Sequence, residues 1–159
     1  MSADVTGLAT LKFRSAGLII RGQNVLLHRG REDDFWTLPG GTVEPGERSD
    51  EALCREIEEE LHIGEARAAR LLWVVETRFV YLGRRFHEIG FYWMLDVPER
   101  SWSEQSWPGH GGEFEMSEPG IVFRWIAVSD LDSIKIKPNF LRQGIAALPT
   151  TVTYLQVDE

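Results

Sequence analysis

The stretch from residue 40 to residue 63, GGTVEPGERSDEALCREIEEELHI, most constrains what this chain can become. Between Ser49 and Leu61 it holds neither glycine nor proline, so nothing there interrupts a helix. Ser49 reads as the N-cap, and Asp50 and Glu51 place negative charge in the first turn, where the helix dipole favours it. At about 100° per residue, Leu53, Ile57 and Leu61 fall on one apolar stripe. Glu56, Glu59 and Glu60 fall on an adjoining stripe, because offsets of three and four share a face, while Glu58 points to solvent. Carboxylates packed this closely repel one another and raise each other's pKa. Arg55 alone is too little compensation. A divalent cation that prefers hard oxygen ligands, Mg²⁺ or Mn²⁺, answers the requirement. The run REIEEE by itself would read as a solvated face; the Gly40-Gly41 turn and the outlying Glu47 make it more specific.

In those residues the stretch resembles the signature box of the Nudix hydrolases. Gly41, Glu47, Arg55, Glu56, Ile57, Glu59, Glu60 and Ile63 all stand at the spacing of that box. The one departure is His62, where the family has a glycine that ends the helix in a left-handed conformation. Histidine is among the better substitutes there, at some cost in stability. The resemblance implies an α/β fold, a Nudix-type α/β/α sandwich with a mixed β-sheet, the box helix on one side and a terminal helix on the other. Periodicity alone supports only one domain of mixed α and β structure. The resemblance further implies metal ligation by Glu56, Glu59, Glu60 and the Gly40 carbonyl. Arg55 is then expected to orient a box glutamate, and Glu47 to support the cluster. The implied catalytic residues are Glu59, Glu56, Arg55 and Glu47, and the implied reaction is hydrolysis of a phosphoanhydride in a nucleoside diphosphate linked to another moiety, by attack of water at phosphorus.

Composition sets looser bounds. A chain of 159 residues, 43% hydrophobic, suits a single domain with a real core, about residues 11–148. With 25 acidic against 17 basic residues the net charge is −8, which argues against non-specific nucleic-acid binding or an anionic membrane partner. The lone cysteine, Cys54, excludes an internal disulfide, suits a reducing compartment, and sits on the apolar side of the helix as a core residue. Residues 1–14 lack the apolar centre of a signal peptide and no run reaches membrane-spanning length, so a cytoplasmic protein is expected. The oligomeric state stays open between monomer and homodimer.

Along the rest of the chain, residues 11–20 and 25–29 read as a hairpin about Arg21-Gly22-Gln23-Asn24. Arg29, His28 and Arg31 stand at a strand end, where basic residues are more often plain surface; the resemblance to the Nudix hydrolases implies Arg29 as the one at substrate. A β-rich segment at 71–76 precedes a second hairpin, 78–82 with 85–95, about Gly83. Residues 96–120 form the one long irregular stretch, and such loops inside compact domains are often functional. It carries Trp102, Trp107 and His110 beside Glu113, Glu115 and Glu118, so Trp107 is a candidate to stack a base. The three glutamates are candidate bases or metal ligands. A mobile surface loop is the equal alternative. Residues 121–128 read as a buried strand, 129–131 start a helical turn, and 138–148 read as the terminal helix. Nucleotide identity is not legible. No proline follows the box as in many ADP-ribose hydrolases, Ser106-Trp107-Pro108-Gly109 matches the NADH-pyrophosphatase motif only faintly, and Tyr81 matches a tyrosine of dinucleoside polyphosphate hydrolases only weakly. Three other readings are weighed. A ligand-sensing domain without catalysis is disfavoured by the intact carboxylates. An isoprenoid diphosphate isomerase is disfavoured by the position of Cys54. RNA 5′-end pyrophosphate removal would want a basic groove.

Overall fold

Two β-sheets meet at shallow apolar interfaces and leave a cleft between their far ends. The computed structural model describes residues 7–108 and 112–159. His110 therefore lies outside the described residues. The first sheet has five strands in the order β4 (Gly40–Thr42), β1 (Thr10–Leu18), β6 (Arg84–Asp96), β5 (Arg67–Tyr81) and β9 (Thr153–Asp158). It is mixed: β1 runs parallel to β6 and β9 parallel to β5, while the other two pairings are antiparallel. The second sheet is antiparallel, with the order β2 (Ile20–Arg21), β3 (Asn24–Gly30), β8 (Ile121–Ala127) and β7 (Glu113–Phe114). Helix α1 (Ser49–Leu61) packs on one side and the short α2 (Leu141–Ala146) on the other.

The first hairpin is shorter than its sequence suggests. Both edges of β1 are occupied, by β4 and by β6, so it cannot also pair with β3. The chain passes from one sheet to the other at the buried Ile19, and only Ile20 and Arg21 pair back onto Val25 and Asn24. The second hairpin stands as expected, but its first arm is one strand of 15 residues. The terminal helix is only six residues long, and the chain after it adds β9, which alternation over so short a span did not announce.

Two apolar cores follow from this layering. One joins Leu18, Leu72, Val75 and Tyr92 of the mixed sheet to Leu27, Val122 and Ile126 of the other and to Leu141 and Ile145 of α2. The second joins Leu53, Ile57 and Leu61 of α1 to Leu26, Phe123 and Trp125. The three α1 residues are at most 2% exposed, and each such burial is worth about 1.5–3 kcal/mol. That energy fixes the rotation of α1 and hence the direction of its glutamates.

Candidate active site

Helix α1 is held at its N-terminus by groups from the mixed sheet. Ser15 Oγ donates to the Ser49 carbonyl at 2.6 Å, and Trp93 Nε1 donates to Ser49 Oγ at 3.2 Å. Ser49 is thus the first helical residue and not the cap. The N-cap is Arg48, whose backbone N–H donates to the Glu51 carboxylate at 3.0 Å. The early acidic residue expected for the dipole does this work, because Ser49 is already spent on the sheet.

Arg55 draws the box carboxylates together. Its Nε and Nη2 grip both oxygens of Glu47 at 2.7 and 2.9 Å. Nη1 donates to Glu56 at 2.9 Å and to Glu59 at 3.4 Å, and Nη2 also reaches the Thr42 carbonyl at 3.1 Å. The fork geometry of a guanidinium makes this possible; an ammonium could not do it. Beside Arg55, and with a bond from the Glu44 N–H, the Glu47 carboxyl is drawn down to about 2. Burial pushes the Glu56 carboxyl up, with Glu60 and Glu59 adding to the rise and Arg55 opposing it. Glu59 is the open member, its side chain 57% exposed.

Glu60 faces a partner that sequence reasoning did not pair with it. His28 Nδ1 lies 3.6 Å from Glu60 Oε2, both side chains about nine-tenths buried, and neither atom has a hydrogen-bond partner. Burial lowers the His28 pKa against the pull of Glu60, so the ring is neutral near pH 7. The only signal was the histidine in VLLHR; the register of β3 with β8, His28 opposite Phe123, turns it toward α1.

Gly40 and Gly41, at the start of β4, border the site. A side-chain carbon at Gly41 would lie 2.7 Å from Glu56 Oε2 and closer still to its carboxyl carbon, so this glycine makes room for that carboxylate. Among the described residues no three acidic, histidine or cysteine side chains already stand in a ligand arrangement, since Arg55 sits among them. The donor set nevertheless fits a hard cation. It is all oxygen, and Glu60 Oε2 is buried with no hydrogen bond.

From Gly40 and His28 a cleft of about 320 Å³ runs between the sheets, with Lys12, Arg14 and Glu88 on one wall and Phe35, Phe79 and Tyr81 toward its far end. Arg29 lines it too, but much of its guanidinium is engaged. Nη1 donates to the carbonyls of Gly30, Arg31 and Asp33 at 3.0–3.3 Å, and the group lies 5.0 Å from the Trp36 ring centre.

The described residues of the 96–120 stretch carry more regular structure than their composition suggests. It contains a 3₁₀ turn, Glu99–Ser101, and strand β7 on the second sheet. Trp107 is not a wall of the cleft. It stacks edge-on against Trp125 at 4.9 Å, as Trp102 does at 5.0 Å, with Arg21 4.2 Å over its ring. The two indoles pack against the second core, while Trp107 is the residue the sequence offered for base stacking. Glu113 comes within 3.8 Å of Arg29, Glu115 pairs with Arg31, and Glu118 stands exposed. Cys54 is half-buried, its thiol 3.4 Å from the Ala66 carbonyl.

A family model described as the NUDIX domain matches residues 11–148. The chain belongs to the NUDIX domain family. A Bacillus subtilis (strain 168) protein provisionally named an 8-oxo-dGTP diphosphatase is 43% identical over 49 residues, 31% of this chain and only about a third (33%) of that protein. The NUDIX fold is also that of a MutT protein from Bacillus halodurans (TM-score 0.62, 13% identity, 92% of this chain and 89% of that one). An ADP-ribose pyrophosphatase from Streptococcus suis (0.56, 16%, 92% and 99%) and a UDP-X diphosphatase (0.53, 22%, 96% and 70%) share it.

Within the NUDIX box the departure at His62 is accommodated in the backbone. His62 takes the left-handed conformation of the missing glycine, φ 60° and ψ 33°, and its N–H still donates to the Glu58 carbonyl at 3.0 Å. Its ring reaches Ser117 Oγ at 2.7 Å, tying the helix end to the 112–118 segment. No helix among the described residues is long and apolar enough to cross a membrane.

Proposed function

We propose that this NUDIX protein hydrolyses a phosphoanhydride bond in a nucleoside diphosphate linked to a further group, with Mg²⁺ or Mn²⁺ held by Glu56, Glu59, Glu60 and the Gly40 carbonyl. The observation that carries the reading is a junction. At Gly40 and His28 the carboxylates of α1 meet a cleft that carries Arg14 and the Lys12–Glu88 pair (3.4 Å) nearby and is aromatic farther on. Such a cleft accepts phosphates at one end and a base at the other. The nucleotide names of the relatives support the same substrate class. When bound, a divalent ion supplies charge neutralisation and Lewis acidity at the phosphate oxygens.

The chain's own groups do the rest. Arg55, anchored by Glu47, orients Glu56 and lends a weaker bond to Glu59. Glu59, the most solvent-open of the three, accepts the proton of the attacking water. Neutral His28 keeps Glu60 desolvated without neutralising it.

Phosphate or pyrophosphate release should be screened over nucleoside triphosphates, nucleotide sugars and dinucleotides with Mg²⁺ and Mn²⁺. Turnover is expected to stop in excess EDTA, and Glu59→Gln or Glu60→Gln to lose most of it while remaining folded. A hundredfold excess of Mg²⁺ over Kd should stabilise the native state by roughly 2.7 kcal/mol. Full turnover in EDTA would refute the proposal.

A further inference from the structure

Each sheet ends in two strands, and three of those four edges are very short. β4 has three residues and β2 and β7 two each, whereas β9 has six. A short edge resists pairing with another chain because it offers too few backbone groups to hold a strand. Among the described residues β9 is the exception. Its sequence, TYLQVD, holds no proline, lysine or glycine, and it pairs with β5 from Trp73 to Arg78 without a bulge. Threonine, tyrosine and valine favour an extended chain.

The direction of its backbone groups follows from one hydrogen bond. The Glu159 N–H donates to the Arg78 carbonyl at 3.0 Å, so Glu159 turns its backbone toward β5. A strand offers its N–H and C=O groups to opposite sides at successive residues. Thr153, Leu155 and Val157 therefore face β5 as well, and Tyr154, Gln156 and Asp158 turn theirs outward. None of these three outward N–H groups meets an acceptor among the described residues. The side chains at the same positions are already engaged within the sheet. Tyr154 Oη donates to Glu76 at 2.6 Å, Gln156 Nε2 donates to Tyr154 Oη at 3.1 Å, and Asp158 pairs with Arg78.

We propose that this edge is the interface of a two-fold dimer, in which β9 of a second copy of the chain pairs antiparallel with it. A two-fold axis perpendicular to the sheet makes two identical strands antiparallel and closes the assembly at two copies. Centred on Gln156, it sets Gln156 opposite Gln156 of the second copy and Tyr154 opposite Asp158, so every outward N–H and C=O of both strands is satisfied. Centring on Leu155 or Val157 leaves Asp158 or Tyr154 with no strand residue opposite. Charge selects the same arrangement. The chain carries a net −8 and β9 leads into the acidic pair Asp158 and Glu159, which a parallel pairing would bring together. The antiparallel register holds the two Asp158 residues four rows apart, about 13 Å along the strand. It also sets Thr153 of the second copy beside Glu159, which lines the cleft, so the interface reaches the rim of the candidate active site.

An interface built on one strand pair is small, and its dissociation belongs in the micromolar range or above. Sedimentation velocity of the 159-residue chain from roughly 1 µM to 500 µM is expected to show the mass rising from 18.1 kDa toward double. Gln156→Pro removes the central outward N–H, which β5 does not use, and should weaken association at least roughly tenfold. The register is read by mild oxidation of cysteine variants. Gln156→Cys sets two thiols on directly opposed residues, Cα atoms about 5.5 Å apart and within disulfide reach. Tyr154→Cys sets its two thiols about 13 Å apart along the strand. A disulfide dimer is expected from Gln156→Cys and not from Tyr154→Cys or from wild type, whose one thiol is the half-buried Cys54. Should Gln156→Pro melt well below wild type, the cysteine pair decides. A chain that stays single over the whole range, growth past two copies, or cross-linking equal in the two cysteine variants overturns the proposal.

Discussion

The two glycines that open the box should fail in different ways. A side-chain carbon at Gly40 would strike the Ser15 carbonyl oxygen and lie 2.7 Å from Ala16 Cα, both backbone atoms of β1. Backbone in a paired strand cannot step aside, so Gly40→Ala must pull β4 off its three-residue register with β1. Overpacking of this kind costs about 3 kcal/mol, the upper end of its usual range. For a chain of this size that is a fall of roughly 6–12 °C in melting temperature. At Gly41 the new carbon meets only the end of the Glu56 side chain. That carboxylate can swing away, at a cost of about 1 kcal/mol, but it then leaves Arg55 Nη1 and the site. Gly41→Ala should therefore melt within roughly 2–4 °C of wild type and lose about 10²–10³ in kcat. Thermal melts in metal-free buffer and initial rates in Mg²⁺ measure both effects. A double-mutant cycle supplies the control: if Gly41→Ala acts through Glu56, it should cost almost nothing further in a Glu56→Gln background. Wild-type kcat in Gly41→Ala, or full additivity with Glu56→Gln, would refute the reasoning.

Two further outcomes are expected. Trp107→Ala should lower the melting temperature by roughly 6–12 °C, about 3 kcal/mol for a large aromatic lost from the Trp125 cluster, with little change in KM; an unchanged melt with a raised KM would return Trp107 to the substrate. Because Glu47 is held at about 2 against an ordinary 4.5, its bond to Arg55 stabilises the fold fully above pH 4.5 and loses that effect as pH falls toward 2. The gap in melting temperature between wild type and Glu47→Gln should close over that window, and a gap constant with pH would show that the carboxylate charge plays no part.

What was legible in the sequence was local. The helical offsets of Leu53, Ile57 and Leu61 against Glu56, Glu59 and Glu60 are properties of one helix, and all three leucine and isoleucine side chains are buried as expected. Arg55 is near enough in sequence to be read as a partner of those glutamates, though its hold on Glu47 depends on the turn between them. Interactions that depend on strand register were invisible. Nothing in VLLHR shows which of His28 and Arg29 faces α1, because a shift of one residue exchanges them. The packing partner of the loop tryptophans was hidden for a related reason. An indole in a Pro- and Gly-rich segment looks free until Trp125, on a distant strand, is placed beneath it. The same limit hid the passage of the chain between sheets at Ile19, since both sheets use the same alternation.

The last strand has a consequence for where this protein can be cut. The family match stops at residue 148, yet β9 begins at Thr153 and lies along the middle of the open flank of β5, from Trp73 to Arg78. Leu155 and Val157 press into the larger core, and Asp158 pairs with Arg78 at 2.7 Å. Glu159 holds Asn139 by its backbone N–H and its side-chain amide. Shortening the chain to the recognisable family boundary would bare the β5 edge from Trp73 to Arg78, where Trp73, Val74 and Val75 run together and no proline or lysine discourages a neighbouring molecule from pairing. Ancestry marks one border and cooperativity another. Ten residues lie between them, and a fragment trimmed to the first border is expected to clump before it can be assayed.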